Sequence, residues 1–205
     1  MVKKAKDTQP SLGESLTITL PKLNLQTLEL KLVGDSPLVS NKWSEKAMKM
    51  MLDKQMKKAK VAKEAKDPEQ CYKDSLYYLP KESQNGTVYG FPAIAFKSAA
   101  VDACSHVDGV TKVQARGAFH VIGELVPIYG TPRMRKDMVR VGMGTADIRF
   151  RGEFPAWSAK LTVRFNGNVL SAEQIINLFN TAGFAIGIGE HRPQKDGSWG
   201  MFHVE

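Results

Sequence analysis

The chain has 205 residues, with 29 lysines and arginines against 21 acidic residues, a formal net charge of +8 at neutral pH. With 42% hydrophobic and 24% charged residues it has the composition of a chain that buries a core, which excludes a disordered or collagen-like polymer. Only two cysteines, Cys71 and Cys104, are present, and no apolar run reaches the roughly 18 to 20 residues that cross a bilayer. A disulfide framework, a structural zinc, a membrane span and a secretory leader are therefore not expected, and a reducing, cytoplasmic setting is.

Residues 1–26 carry Pro10, Gly13 and Pro21 among polar residues and read as an N-terminal arm, within which 15–20 alternates as an edge strand. Residues 27–33 alternate with period two, a strand broken by Gly34-Asp35-Ser36-Pro37. Ser44 is a good N-cap for a helix that buries Ala47, Met48, Met51, Leu52, Met56, Ala59 and Ala62 and turns lysines outward. Asp67-Pro68 starts a second, shorter helix with Tyr72, Leu76 and Leu79 on one side, ended by Pro80. After a loop over 81–86, an alanine-rich core helix follows Pro92 and runs to about Val107, stopped by Asp108-Gly109. Residues 119–128 read as one strand, and 138–141, 146–150 and 159–165 as three more. Ser171 and Gln174 then form a capping box, the helix buries Ile175, Leu178, Phe179 and Ala182, and Gly183 is expected as its left-handed cap. A glycine-rich loop and a strand over 201–204 close the sequence.

That order predicts an α+β fold, a ferredoxin-like antiparallel sheet built from two β-α-β units. Residues 27–205 form one domain, with a helical, lysine-rich insertion at about 44–80 and a basic β-hairpin at about 130–157. The positive charge sits on these insertions. Residues 42–66 hold nine lysines against three carboxylates, a net +6, and 131–151 hold six basic residues against two acidic ones, a net +4. The second patch is rich in arginine, whose planar fork suits phosphate, so polyanion binding is the leading expectation.

At the chain end, a helix followed by Gly187-x-Gly189, a short loop, and Gly197-x-x-Gly200-Met201-Phe202-x-Val204 resembles the glycine-rich signature of the RAMP superfamily. These are the ferredoxin-like RNA-binding backbone subunits and processing nucleases of CRISPR complexes. The second pair, Gly-Ser-Trp-Gly, departs from the commoner Gly-x-Gly. The turn Gly34-Asp35-Ser36-Pro37-Leu38 and the arginine-rich hairpin, in the place of a protruding thumb, agree with the resemblance. The chain also looks similar to small bacteriophage proteins with the same terminal pattern. The resemblance implies a protein of a bacterial or virus-infected bacterial cell.

The expected function is sequence-independent binding of single-stranded RNA or DNA by copies assembled side by side along the strand. The candidate contacts are Lys42, Arg116, Arg133, Arg135, Lys136, Arg140, Arg149, Arg151, His191, Arg192 and Lys195, with Gly187, Gly189, Gly197 and Gly200 supplying backbone amides to an anion-receptive loop. Phe150, Phe154 and Trp157 interleave with these cations and serve either the core or base stacking. The four histidines fall in separate elements, so no metal site, cofactor or enzymatic activity is expected. Two other readings stand: a viral structural or inhibitory protein that docks on an acidic protein surface, and a RAMP-like endoribonuclease with His191 near the scissile phosphate.

Overall fold

The computed structural model describes residues 20–58, 65–84, 86–142 and 144–205. Residues 1–19 of the N-terminal arm, which hold all but the last residue of the strand expected at 15–20, and Ala59 to Ala62 of the first helix lie outside them. Ten strands and five helices follow in chain order: β1 (Leu25–Gly34), β2 (Leu38–Ser40), α1 (Glu45–Gln55), α2 (Pro68–Asp74), β3 (Tyr77–Tyr78), β4 (Tyr89–Pro92), α3 (Ala93–Ala103), α4 (Lys112–Ala118), β5 (Phe119–Val121), β6 (Leu125–Tyr129), β7 (Arg133–Val141), β8 (Thr145–Phe154), β9 (Ser158–Asn166), α5 (Ala172–Ala185) and β10 (Phe202–Val204).

The main sheet runs β10-β1-β9-β6-β4-β3, with β5 also on β9, and every pairing is antiparallel. Its first four strands, with α3 between β1 and β6 and α5 between β9 and β10, reproduce the ferredoxin-like order: last, first, third, second. Alternation decides which face is covered. Leu30 and Leu32 of β1 and Ala159, Leu161, Val163 and Phe165 of β9 point into the core, where α3 and α5 lie across them. Phe96, Phe119, Phe179 and Phe202 are fully buried there, each worth about 1.5–3 kcal/mol relative to exposure.

Several boundaries differ from the sequence expectation, each for a local reason. α1 stops at Gln55 because Lys57 turns left-handed at φ 56°, and none of its residues is buried. α2 ends at Asp74, so neither Leu76 nor Leu79 is on it, and Tyr77–Tyr78 instead pair with β4. α3 ends at Ala103, short of Val107. The expected strand over 119–128 is two strands, interrupted where Gly123 takes φ 95°. Gly183 is not the helix cap. It lies inside α5 where a Cβ would stand 1.7 Å from the Phe202 carbonyl oxygen, and it lets β10 pass close to the helix. The left-handed residue is Gly187 at φ 66°, whose N–H donates to Ala182 O at 2.8 Å.

Between β6 and β9 the chain leaves the main sheet as the β7–β8 hairpin, joined by β2 into a second sheet of order β2-β8-β7. α2 covers the base of this hairpin, and Leu76, two residues beyond the helix, lies over Gly152.

Candidate nucleic-acid interface

Three segments converge at the hairpin base: the end of β2, the glycine-rich loop after α5, and the β7–β8 ladder. Glu190 joins them. Its N–H donates to Val39 O at 3.0 Å, its carboxylate accepts from Asn41 Nδ2 at 2.8 Å, and Arg151 Nη2 stands 3.9 Å from it. Lys42 follows Asn41, exposed, its N–H bonded to Ser75 O.

The hairpin register separates its charged residues into two sets, because opposed residues of an antiparallel pair share a face and neighbours along a strand do not. One face, toward the glycine loop, carries the pairs Arg133–Glu153, Arg135–Arg151 and Asp137–Arg149. Glu153 accepts from Arg133 Nε at 2.6 Å and from Arg135 Nη1 at 2.8 Å; Asp137 accepts from Arg135 Nε at 2.8 Å and from Arg151 Nη1 at 3.4 Å. Burial works against the Glu153 carboxylate, yet the two arginine hydrogen bonds hold its pKa below the usual range. The same carboxylates raise the Arg135 pKa against the desolvation of its guanidinium. Arg151 is 4% exposed, and its Nε has no hydrogen-bond partner among the described residues. It is therefore turned inward, toward Asp137 and Glu190, and does not share the exposed placement of Arg133. Toward the tip, Lys66 Nζ reaches Asp147 at 2.8 Å and the Ile148 carbonyl, and Arg149 Nε lies 3.8 Å from Asp147.

The other face is different. Lys136 stands opposite Phe150, Met138 opposite Ile148 and Arg140 opposite Ala146. Lys136 and Arg140 are exposed with no salt bridge among the described residues, while Met138 is 78% and Ile148 42% exposed. Phe154 and Trp157 belong to the core, which leaves Phe150 as the hairpin aromatic on this outward face.

The glycine loop is rigid for a backbone reason. Ile188 N–H donates to Gly200 O at 3.0 Å and Gly200 N–H to Pro37 O at 2.8 Å. Gly200 takes φ 66°, with the Ile188 carbonyl oxygen 1.8 Å from where a Cβ would be, so no side chain fits. Gly189 lies against the Val39 carbonyl and Gly197 against that of His191. The N–H groups of Gly187, Glu190, Gln194, Lys195, Asp196, Gly197 and Trp199 are also bonded to carbonyls. The amides of Gly187, Gly197 and Gly200 are thus committed to carbonyls, which removes three of the four expected glycine amides from an anion-receptive array.

Side chains of the loop face the hairpin. Trp199, which sequence reasoning did not single out, holds the Arg135 guanidinium 3.8 Å over its ring and meets His191 edge-on at 4.7 Å. Arg192 binds Gln194 Oε1 and the Gly189 carbonyl, and Lys195 projects into solvent. Arg116 does not join the group. It sits on α4, next to β5, which pairs with the Val163–Phe165 end of β9 while the hairpin leaves from the Ser158 end, about 20 Å away at strand rise. The sequence expectation has no helix at α4, whose local signal is the capping box of Thr111 with Gln114.

Among the described residues, no helix is long and apolar enough to cross a membrane. No family model matches the chain, and no curated protein matches it. Among solved structures, the chain is similar to Cmr6 from Pyrococcus furiosus over 90% of this chain and 100% of that one, at 10% sequence identity and a TM-score of 0.47.

Proposed function

We propose that the protein binds single-stranded nucleic acid without sequence preference along the outward face of the β7–β8 hairpin, as a binding protein and not an enzyme. The observation that carries this reading is the alternation on that face: Lys136 and Arg140, uncompensated among the described residues, flank Met138 and stand beside Phe150 and Ile148. Phosphates would be held by the cations while unpaired bases lie on the ring and aliphatic groups, an arrangement indifferent to base identity because every base has a flat face. Lys42 and Lys195 extend the positive field on either side of the hairpin base, and Arg192 supports the loop that carries Lys195. His191 is assigned to packing against Trp199.

Side-by-side assembly along the strand is part of the reading. It draws on α1 and its C-cap, where Met48, Met51, Leu52 and Met56 are 45–57% exposed and would offer an apolar stripe to a neighbouring copy. The test is binding to labelled single-stranded RNA and DNA across a salt series, with sedimentation on strands of increasing length. Affinity falling log-linearly with salt, and complexes growing with strand length, are expected. Salt-insensitive or absent binding would defeat the function, and a one-to-one complex at every length would defeat the assembly.

A further inference from the structure

A cavity of about 270 Å³ opens in the helical layer, between the α3–α4 connection, the 169–170 segment and one face of α5. Its floor is apolar, formed with Leu170 and Leu178, both nearly fully buried. Its walls carry the amides of Gln114, Gln174 and Asn177, with Asp108 as the charged group among the lining side chains.

The orientation of two of those amides is fixed. Gln114 Oε1 accepts from Thr111 N–H and Gln174 Oε1 from Ser171 N–H, each at 2.9 Å, as the reciprocal halves of two capping boxes. Both carbonyl oxygens are thus committed, and both Nε2 groups remain as donors without a partner among the described residues. An apolar floor, two amide donors and one carboxylate acceptor around one cavity suit a flat, uncharged ring with carbonyl acceptors next to an N–H. An anion would meet Asp108 unfavourably, and a purely apolar ring would leave the amides unanswered.

We infer that this cavity binds a free small molecule of the pyrimidine-lactam type, a neutral heteroaromatic ring bearing carbonyl groups. The source is a molecule in solution and not a base of a strand held at the hairpin. α5 starts beyond the end of β9 remote from the hairpin, and the cavity lies along Gln174 to Thr181 of that helix.

Uridine is the probe. Titrated into the full chain, it should shift the side-chain amide signals of Gln114 and Gln174 saturably, and benzyl alcohol at equal concentration should not. The substitutions Gln114→Glu and Gln174→Glu keep both capping boxes, since glutamate accepts the same N–H, but remove the donors. The double variant should melt as wild type does and bind uridine at least roughly tenfold more weakly. Val169→Trp, at an exposed rim position, should close the mouth and abolish the shifts with the amides intact. Absent or unsaturable shifts, shifts shared by benzyl alcohol, or wild-type affinity in the double variant would overturn the site. Weaker oligonucleotide binding by Val169→Trp, which changes no charge, would overturn the free-ligand assignment, because the base would then come from the strand. Uridine binding does not depend on the hairpin, so this result and the oligonucleotide result can fail separately.

Discussion

The two faces of the β7–β8 hairpin come from the same short stretches of sequence and are electrostatic opposites. On the loop-facing side, Arg133, Arg135, Arg149, Arg151 and Lys66 meet Asp137, Asp147, Glu153 and Glu190, leaving little net charge. On the outward side, Lys136 and Arg140 meet no carboxylate among the described residues and share their surface with Met138, Ile148 and Phe150. The main sheet's uncovered face behaves like the first, with Lys31–Glu205 at 2.6 Å, Lys160–Glu29 at 3.7 Å and His203 Nδ1 at 2.6 Å from Asp35. A surplus of basic residues therefore marks a ligand surface only where the register leaves it unpaired. Arginine, the better phosphate ligand in principle, is here mostly consumed in ion pairs within the hairpin, with Arg151–Glu190 and the Arg135 guanidinium over Trp199 reaching the glycine loop.

The largest effect is expected from breaking the loop-facing side. Glu153→Ala would leave the Arg133 and Arg135 guanidinium groups at a site where the carboxylate is 4% exposed. The cost should be about 3 kcal/mol, or roughly 6–12 °C in melting temperature for a chain of this size. Acid should act through the same group. Its folded pKa lies below the ordinary 4.5, so its contribution is full above that value and is lost as pH falls through the lower folded one. Urea melts of wild type should weaken below about pH 4.5, and Glu153→Gln, which removes this titration, should flatten that dependence. Equal acid sensitivity of both proteins would mean that other carboxylates dominate.

Next in size is charge reversal on the outward side. Lys136→Glu with Arg140→Glu should leave stability within about 0.5 kcal/mol, since both side chains are exposed and unpaired. The same variant should weaken oligonucleotide binding by about 2 kcal/mol and lower the salt slope by about 2. Arg133 and Arg149, spoken for by Glu153 and Asp147, should each matter less when truncated. A larger binding loss from Arg149→Ala than from the double reversal would move the interface to the loop-facing side.

The sequence shows the strands and the capped helices because those signals are local. Period-two alternation marks β1 and β9, Ser44 and Ser171 mark the starts of α1 and α5, and Asp67-Pro68 marks α2. The hairpin is legible for the same reason. What the sequence hides is set by register and by distant partners. Arg151 is inward because Asp137 lies diagonally across the strand pair and Glu190 approaches from the glycine loop, and no spacing rule links residues 137, 151 and 190. Trp199 lies 64 positions from Arg135 yet carries its guanidinium. α4 has seven residues with only Ala115 and Ala118 buried, too short for a period to show. The glycine pattern locates the loop correctly, but not the use of its amides, which depends on carbonyls supplied by Pro37, Val39 and Ile186.

The smallest effect separates stacking from charge on the outward face. Phe150 is half-buried opposite Lys136, so Phe150→Leu keeps the apolar bulk and removes the flat ring. A base that stacks there should lose about 1 kcal/mol of binding, at the lower end for base–aromatic contacts because one edge of the ring is covered. The salt slope should not change, since no phosphate contact is altered. Stability should fall by less than about 1 kcal/mol at a half-buried position where volume is nearly conserved. Titrations of wild type and Phe150→Leu with an intact and an abasic oligonucleotide separate the cases. If the ring carries a base, the variant binds the intact strand less tightly than wild type does, and the two proteins bind the abasic strand alike. If the variant loses affinity equally for both strands, Phe150 acts only by shaping the hairpin, and the outward face holds nucleic acid through Lys136 and Arg140 alone.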